Sequence, residues 1–497
     1  MRAFGEMDTT NWLRRLIRIR RKRGIRIIRA VNRLLLLIVI FTLCFSQSAK
    51  AERQQYIWEN DWRIPIPTSY RNVKVITYLG EKSGFLNGAE DLFIDKNDCM
   101  YVADTLNNRV LKLTLEGETL EVFTGPSEKP LKNPKGIYVD DDGHMFIADT
   151  GNLRIIHLSR KGEFIEEFIK PESNLLSEDF TFDPSKVYIN STGYIFIIKS
   201  QAFFSMGANN EFQGYIGSTK VGFDFQRILI NMFASDFQKS QVIKKLPDSY
   251  SNFVIDDYGM IYATVINAKR GQIRKITSAG KNIYPGKFYG EITRSGWRSK
   301  IPNFVDIAVD KNGIVSVVDQ ASGKIYQYDQ EGNMLAAFGG LGNQKGTFKI
   351  PSSIVLDSQG RLYVLDQKAN NIQIFEPTNF INLVHEASRL YNDGRYAESR
   401  DVWEKVLQID GKYALAHRGI AKALIKEEKW IESMETYKLA NDQEGYSEAF
   451  IQYRHSIYRR YFGWIILLIA VVIVVLFYML KYLKKLSESV LRKHMGW

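Results

Sequence analysis

The sequence predicts a mainly β fold, a six-bladed β-propeller, followed by a short all-α array of helical hairpins and one transmembrane helix. Three observations carry this. A four-strand unit recurs six times between residues 72 and 376. The hydrophobic period changes from 2 to about 3.6 after Phe380. Residues 462–480, FGWIILLIAVVIVVLFYML, form an uncharged run long enough to span a bilayer.

The unit is clearest in residues 136–168, GIYVDDDGHMFIADTGNLRIIHLSRKGEFIEEF. It reads as four short antiparallel strands with turns at Asp140–Gly143, Asp149–Asn152 and Lys161–Gly162, the composition of one propeller blade. The first-turn residues of the six copies are Asp95, Asp140, Asn190, Asp256, Asp310 and Asp357, spaced by 45, 50, 66, 54 and 47 residues. Nine positions further on stand Asp104, Asp149, Lys199, Val265, Asp319 and Asp366, so the third and fourth copies lack that Asp.

The motifs YVADTLNNRV (101–110) and FIADTGNLRI (146–155) resemble the NHL repeat, with weaker matches at residues 316–325 and 363–372. The resemblance covers roughly residues 73–376 and implies a β-propeller. It specifies fold and leaves function open, since one fold hosts many activities. The sixth copy ends at Phe375 with its third strand. Residues 72–79, which precede the first copy, are expected to supply the missing outer strand and close the ring.

The formal net charge of +12 comes from the ends. Residues 1–51 contribute +10 and residues 481–497 contribute +4, which leaves −2 for the other 429. A near-neutral body gives no argument for nucleic-acid binding. Residues 1–51 combine a basic stretch, a 12-residue apolar run and Ala49-x-Ala51, the form of a signal peptide, with a retained anchor as the alternative. Cys99 is the one cysteine outside that segment, which excludes a disulfide-stapled fold. With residues 481–497 as a basic cytoplasmic tail, the expected topology is single-pass, with the propeller extracytoplasmic and the C-terminus cytoplasmic.

Residues 380–461 carry a second repeat at an offset of 34: Ala387 with Ala421, Ser399 with Ser433, Trp403 with Tyr437. They resemble tetratricopeptide repeats, which implies helical hairpins acting as a stalk or as a groove for a partner's peptide. Residues 221–246 interrupt the propeller repeat. Their Phe223, Phe225, Arg227 and Phe233 make a candidate docking surface, with a structural brace as the alternative. Arg109 and Arg154 occupy the repeat's Arg position. They would line an anionic-ligand surface or pair with a blade Asp.

Some propellers of this kind are metal-dependent enzymes. Only His144 and His157 of the six histidines fall in the ring, both in one blade, too few for a three-His zinc site. No cofactor is expected, although the many Asp residues leave calcium open. The expected function is binding or scaffolding at a membrane, with a protein partner or surface ligand. The competing expectation is a calcium-dependent, lactonase-like hydrolase or lyase, which would need inward carboxylates from different blades around one axial point.

Overall fold

The computed structural model describes residues 54–495 apart from 60, 61, 172, 174, 175, 177, 178, 191, 218–247, 296 and 297. The signal-like segment and the 221–246 insertion therefore lie outside the described residues. The described residues open with a hairpin, β1 (Tyr56–Glu59) and β2 (Trp62–Pro65), followed by β3 (Tyr70–Ile76). Six blades follow. The first is β4 (Asp91–Ile94), β5 (Met100–Asp104), β6 (Arg109–Leu113) and β7 (Thr119–Phe123). The second is β8 (Gly136–Val139), β9 (Met145–Asp149), β10 (Arg154–Leu158) and β11 (Phe164–Phe168). The third is β12 (Pro184–Ile189), β13 (Ile195–Lys199), β14 (Ala202–Met206) and β15 (Phe212–Tyr215). The fourth has three strands, β16 (Tyr250–Ile255), β17 (Ile261–Val265) and β18 (Ile273–Ile276), trailed by a small hairpin, β19 (Thr293–Ser295) and β20 (Arg298–Lys300). The fifth is β21 (Phe304–Val309), β22 (Val315–Asp319), β23 (Lys324–Tyr328) and β24 (Met334–Gly339), and the sixth opens with β25 (Pro351–Leu356), β26 (Leu362–Asp366) and β27 (Asn371–Pro377).

The second strand of a blade lies between its own neighbours in the sheet and the sheets on either side. That is why MYVAD, MFIAD, VSVVD and LYVLD are buried at every position. Each first turn repeats one bonding pattern. Oδ1 of Asp95, Asp140, Asn190, Asp256, Asp310 or Asp357 accepts from the backbone N–H two and four residues on, at 2.8–3.1 Å. The recurrent carboxylate is thus a turn device, as its repetition suggested.

Closure follows the expected route. β3 pairs antiparallel with β27, Ile372 opposite Ile76 and Pro377 opposite Tyr70, and completes the sixth blade. The strand is two residues longer upstream and three shorter downstream than the 72–79 stretch. The preceding hairpin, which the repeat pattern does not announce, adds to the outer edge of the fifth blade through Tyr56 opposite Ala337. Gln55 ties the two attachments together: its Oε1 accepts from Ser69 N–H at 2.6 Å and its Nε2 donates to the Tyr70 carbonyl at 2.7 Å.

Five helices follow: α1 (Asn379–Asn392), α2 (Tyr396–Ile409), α3 (Ala414–Lys426), α4 (Trp430–Leu439) and α5 (Gln443–Met495). The 34-residue offset holds in three dimensions. Ser399 Oγ donates to the Ala387 carbonyl and Ser433 Oγ to the Ala421 carbonyl, both at 2.8 Å. The first helices sit directly on the ring. Phe380, Ile381, Val384, Trp403 and Tyr413 share one core with Leu335, Phe338 and Phe375 of the last two blades. Tyr413 Oη donates to the Leu335 carbonyl at 3.1 Å, and Lys422 pairs with Glu331. The long apolar stretch of α5 is not buried by any of the described residues, and Trp464 is 71% exposed. By length and composition it is a membrane-spanning candidate.

At the ring–helix junction, His385 Nε2 meets Gln327 Oε1 at 3.0 Å, and Gln327 Nε2 donates to Tyr70 Oη and Ser316 Oγ. Desolvation holds the imidazole down, from 6.5 to about 4, so it is neutral in the fold. The unfolded chain takes up this proton below about pH 6.5, so stability falls as pH drops toward 4, by on the order of 2–3 kcal/mol. In urea unfolding, His385→Gln is expected to flatten that part of the slope. An unchanged slope would place the titration elsewhere.

Deleting Tyr70–Ile76 leaves β27 as an open edge. The expected result is loss of a cooperative melting transition or aggregation in size-exclusion chromatography. A deletion that melts like the parent would show that ring stability does not depend on this strand.

Candidate functional site

The strand registers define two ring faces. Asp104 lies opposite Arg109, Asp91 opposite Ala103 and Phe123 opposite Val110. The start of each first strand and the end of each second strand therefore share one face, the upper. The turns after each first strand share the lower face with the helices. On the ring axis, the upper face opens into a chamber of about 410 Å³.

Its floor is set by one register position in every blade, four residues before the turn residue. In order these are Asp91, Gly136, Lys186, Asn252, Asp306 and Ser353. First strands of propeller blades line the axis, so these six positions converge. Lys186 Nζ donates to Asp91 Oδ1 at 2.7 Å and Oδ2 at 2.9 Å. Ser353 Oγ donates to Asp306 Oδ2 at 2.7 Å and lies 3.3 Å from Asp91 Oδ1, linking the two carboxylates. Asp306 Oδ2 also accepts from Ile354 N–H at 2.7 Å, and Asp91 Oδ2 from Ile137 N–H at 3.0 Å. Both carboxylates are 2% exposed.

Lys186 belongs to the third blade and Asp91 to the first, so the bond crosses the second. Gly136 makes that reach possible. A Cβ there would lie 2.5 Å from the Ser185 carbonyl oxygen and 3.0 Å from Lys186 Cα. The absent side chain lets the third blade's inner strand close in and lets the ammonium pass.

Desolvation raises the Asp306 carboxyl to about 6. The Asp91 charge adds to this, and Lys186 and the Ser353 and Ile354 hydrogen bonds oppose it. Burial works against the Lys186 ammonium, and Asp91 and Asp306 outweigh it, so its pKa is raised. Above the floor, the wall is made of hydroxyls and carboxamides: Thr150, Ser185, Ser251, Gln320, Ser352 and Gln367. Charges in the wall are paired within the protein, Glu90 with Lys135 and Asp183 with Lys199. Below the floor, a second cavity of about 210 Å³ has apolar walls that include Ile94, Tyr138, Tyr188, Val254 and Leu356.

The arginines singled out from the repeat take no part in this chamber. Arg154 is 2% exposed. It donates to Asp149 Oδ2, Glu167 Oε2 and the Lys129 carbonyl, each at 2.7 Å. Arg109 donates to Asp104 Oδ2 at 2.8 Å and to the Ser83 carbonyl at 2.7 Å. The paired Asp residues also hold the incoming loop, Asp104 through Asn87 N–H and Asp149 through Lys132 N–H. Phe223, Phe225, Arg227 and Phe233 lie outside the described residues, on a connection that leaves after β15 and returns before β16.

The axial carboxylates that a calcium site would require are present from two different blades, yet the residues do not fit a divalent ion. Calcium takes six to eight oxygens. Here the ammonium of Lys186 already occupies the acceptor face of Asp91. Among the described residues no group of three or more His, Cys, Asp or Glu side chains is arranged to hold a metal.

The model of the SMP-30/gluconolactonase/LRE-like region matches residues 71–192, about a quarter of the chain, so that stretch is similar to this family; the match does not confirm the NHL resemblance of the motifs. No curated protein matches. Among solved structures, a streptogramin B lyase is similar at 12% identity with a TM-score of 0.40, covering 62% of this chain and 98% of its own. Virginiamycin B lyase from Staphylococcus aureus, in selenomethionine-substituted form, is similar at 13% identity and a TM-score of 0.37, covering 65% and 87%. A protein of unknown function from Bacteroides caccae is similar at 11% and 0.35, covering 59% and 89%. Likenesses this distant carry no argument about activity.

Gly136→Ala forces a backbone shift at Ser185, so it is expected to cost about 1–3 kcal/mol in urea unfolding. Parental stability would show that the strands have slack. Asp306 has a raised folded pKa, so its contribution is full below about pH 4 and is lost as pH rises through about 6. Asp306→Asn is therefore expected to gain stability relative to the parent across that window, opposite in sense to the His385 effect. A constant difference between the two proteins would refute the assignment.

Proposed function

We propose that this protein is a membrane-anchored propeller that binds a small, uncharged, hydroxyl-rich ligand in its upper axial chamber. The observation that carries the reading is the wall chemistry. Hydroxyl and carboxamide side chains converge from several blades, and the acidic side chains of the wall are paired with lysines. Such a wall offers many neutral donors and acceptors and no unpaired charge, which favours a neutral polyol over an ionic ligand. A chamber of about 410 Å³ falls within the range of small-molecule sites. The ring is read as extracytoplasmic, α5 as a single span and the Lys-rich end as cytoplasmic. The tetratricopeptide-like helices then act as a rigid mount, since they share a core with the ring.

A second reading is favoured by Asp306. A carboxyl raised to about 6, bordering the lower cavity beneath the Lys186–Asp91 pair, suits proton transfer in a hydrolase or lyase. The match of residues 71–192 to the gluconolactonase-like model points the same way.

Titration calorimetry of the full chain in detergent, against neutral mono- and disaccharides and the matching sugar acids, separates these readings. Binding of a neutral sugar without turnover, weakened at least tenfold by Gln320→Ala or Gln367→Ala, is the expected outcome. Turnover of a lactone or ester that Asp306→Asn abolishes would replace binding with catalysis. Binding of the acids alone would overturn the ligand class.

A further inference from the structure

We propose that Lys186 is a built-in cation that takes the place of a bound divalent metal on the ring axis and presents an N–H to the ligand in the chamber above. The inference rests on the chamber being the binding site, and adds the residue that anchors the ligand.

The argument begins with the register. Of the six axial positions, two are Asp, one is Asn and one is Ser, a set of oxygen donors from four blades around one axis. Oxygen donors at such a point call for a cation, because two buried carboxylates without one repel each other and lose their hydration. The third position, Lys186, supplies that cation covalently. Lys186 Nζ reaches both oxygens of Asp91 across the gap left by Gly136. Ser353 extends the network to Asp306. A divalent ion would need the volume the lysine side chain fills, and its charge would be repelled by the ammonium.

An ammonium is not a mere plug. It carries three N–H groups. The bonds to the two Asp91 oxygens engage two of them, and the Lys186 side chain, 15% exposed, lines the chamber as well as the cavity beneath it. The third N–H is therefore available to a carbonyl or hydroxyl oxygen of the ligand, the coordination an axial metal would otherwise give. A neutral oxygen fits this donor better than a carboxylate. The acidic floor, with two Asp residues to one Lys, repels an anion at neutral pH.

The test uses the full chain in detergent, with calcium and terbium as probes. For the native protein, neither millimolar calcium nor EDTA is expected to move the melting temperature, and terbium is expected to give no tyrosine-sensitised luminescence from the axis, which Tyr250 borders. Lys186→Ala removes the ammonium and vacates its volume. That variant is expected to bind both ions at least tenfold more tightly than the native protein and to recover melting temperature in calcium, and adding Asp91→Asn should erase the gain. Soluble Lys186→Ala obtained only in the presence of calcium gives the same support. The proposal is overturned if EDTA lowers the native melting temperature, or if Lys186→Ala folds and binds no ion. Absence of any sugar binding to the native protein, with the metal results as expected, would instead count against the chamber as a ligand site.

Discussion

The structure depends on one pairing, β3 against β27. A ring of sheets has no free edge only if its last blade is completed by strand from somewhere else in the chain. Here the strand comes from upstream of the first blade, about 300 residues away in sequence. Everything on the axis is fixed by that closure, since the floor contacts join the first, third, fifth and sixth blades. An opened sixth blade would release Ser353 and separate Asp306 from Asp91. The hairpin β1–β2 and the Gln55 bracket spread the closing contacts over two blades, so closure does not rest on one ladder of hydrogen bonds.

The helices add to the same constraint. They follow β27 without a break and bury Phe380, Ile381 and Val384 against the fifth and sixth blades. Gln327 joins the three parts in one short network: β23 in the fifth blade, Tyr70 of the closing strand and His385 of α1. The charge state of a single imidazole on α1 is thereby coupled to the strand that closes the ring.

The fold was legible because its architecture repeats. Asp95, Asp140, Asp256, Asp310 and Asp357 mark turns, the 34-residue offset marks helical pairs, and the missing outer strand pointed to residues upstream. Tyr56–Glu59 and Trp62–Pro65 were not legible, because they form no part of any repeat and become strands only against the edge of β24. The site was hidden for a related reason. Attention to recurring Asp and Arg residues selects groups that build blades, and Arg109 and Arg154 turned out to hold loops and carboxylates in place. The axial residues recur in position and differ in identity: Asp, Gly, Lys, Asn, Asp, Ser. A polar residue at the start of strands that are otherwise apolar was the available signal. It required comparing the copies column by column, because what fails to repeat at a fixed register is free of the architectural role.

The two halves of the axis differ in a way that follows from this column. Above it the wall is hydroxyl and carboxamide; below it the inner strands present Ile94, Val254 and Leu356. The ion pair sits at the boundary, where one side can hydrate or bond its polar groups and the other cannot. Its bonds are strong because water is largely excluded, and they persist because every oxygen that faces the apolar side is already engaged by Lys186, Ser353 or a backbone N–H. The lower face carries the helices that lead to α5, and the upper face carries the open chamber. The helices that lead to α5 and the open chamber thus lie on opposite faces of one ring, and the Lys186–Asp91–Ser353–Asp306 floor is the layer between them.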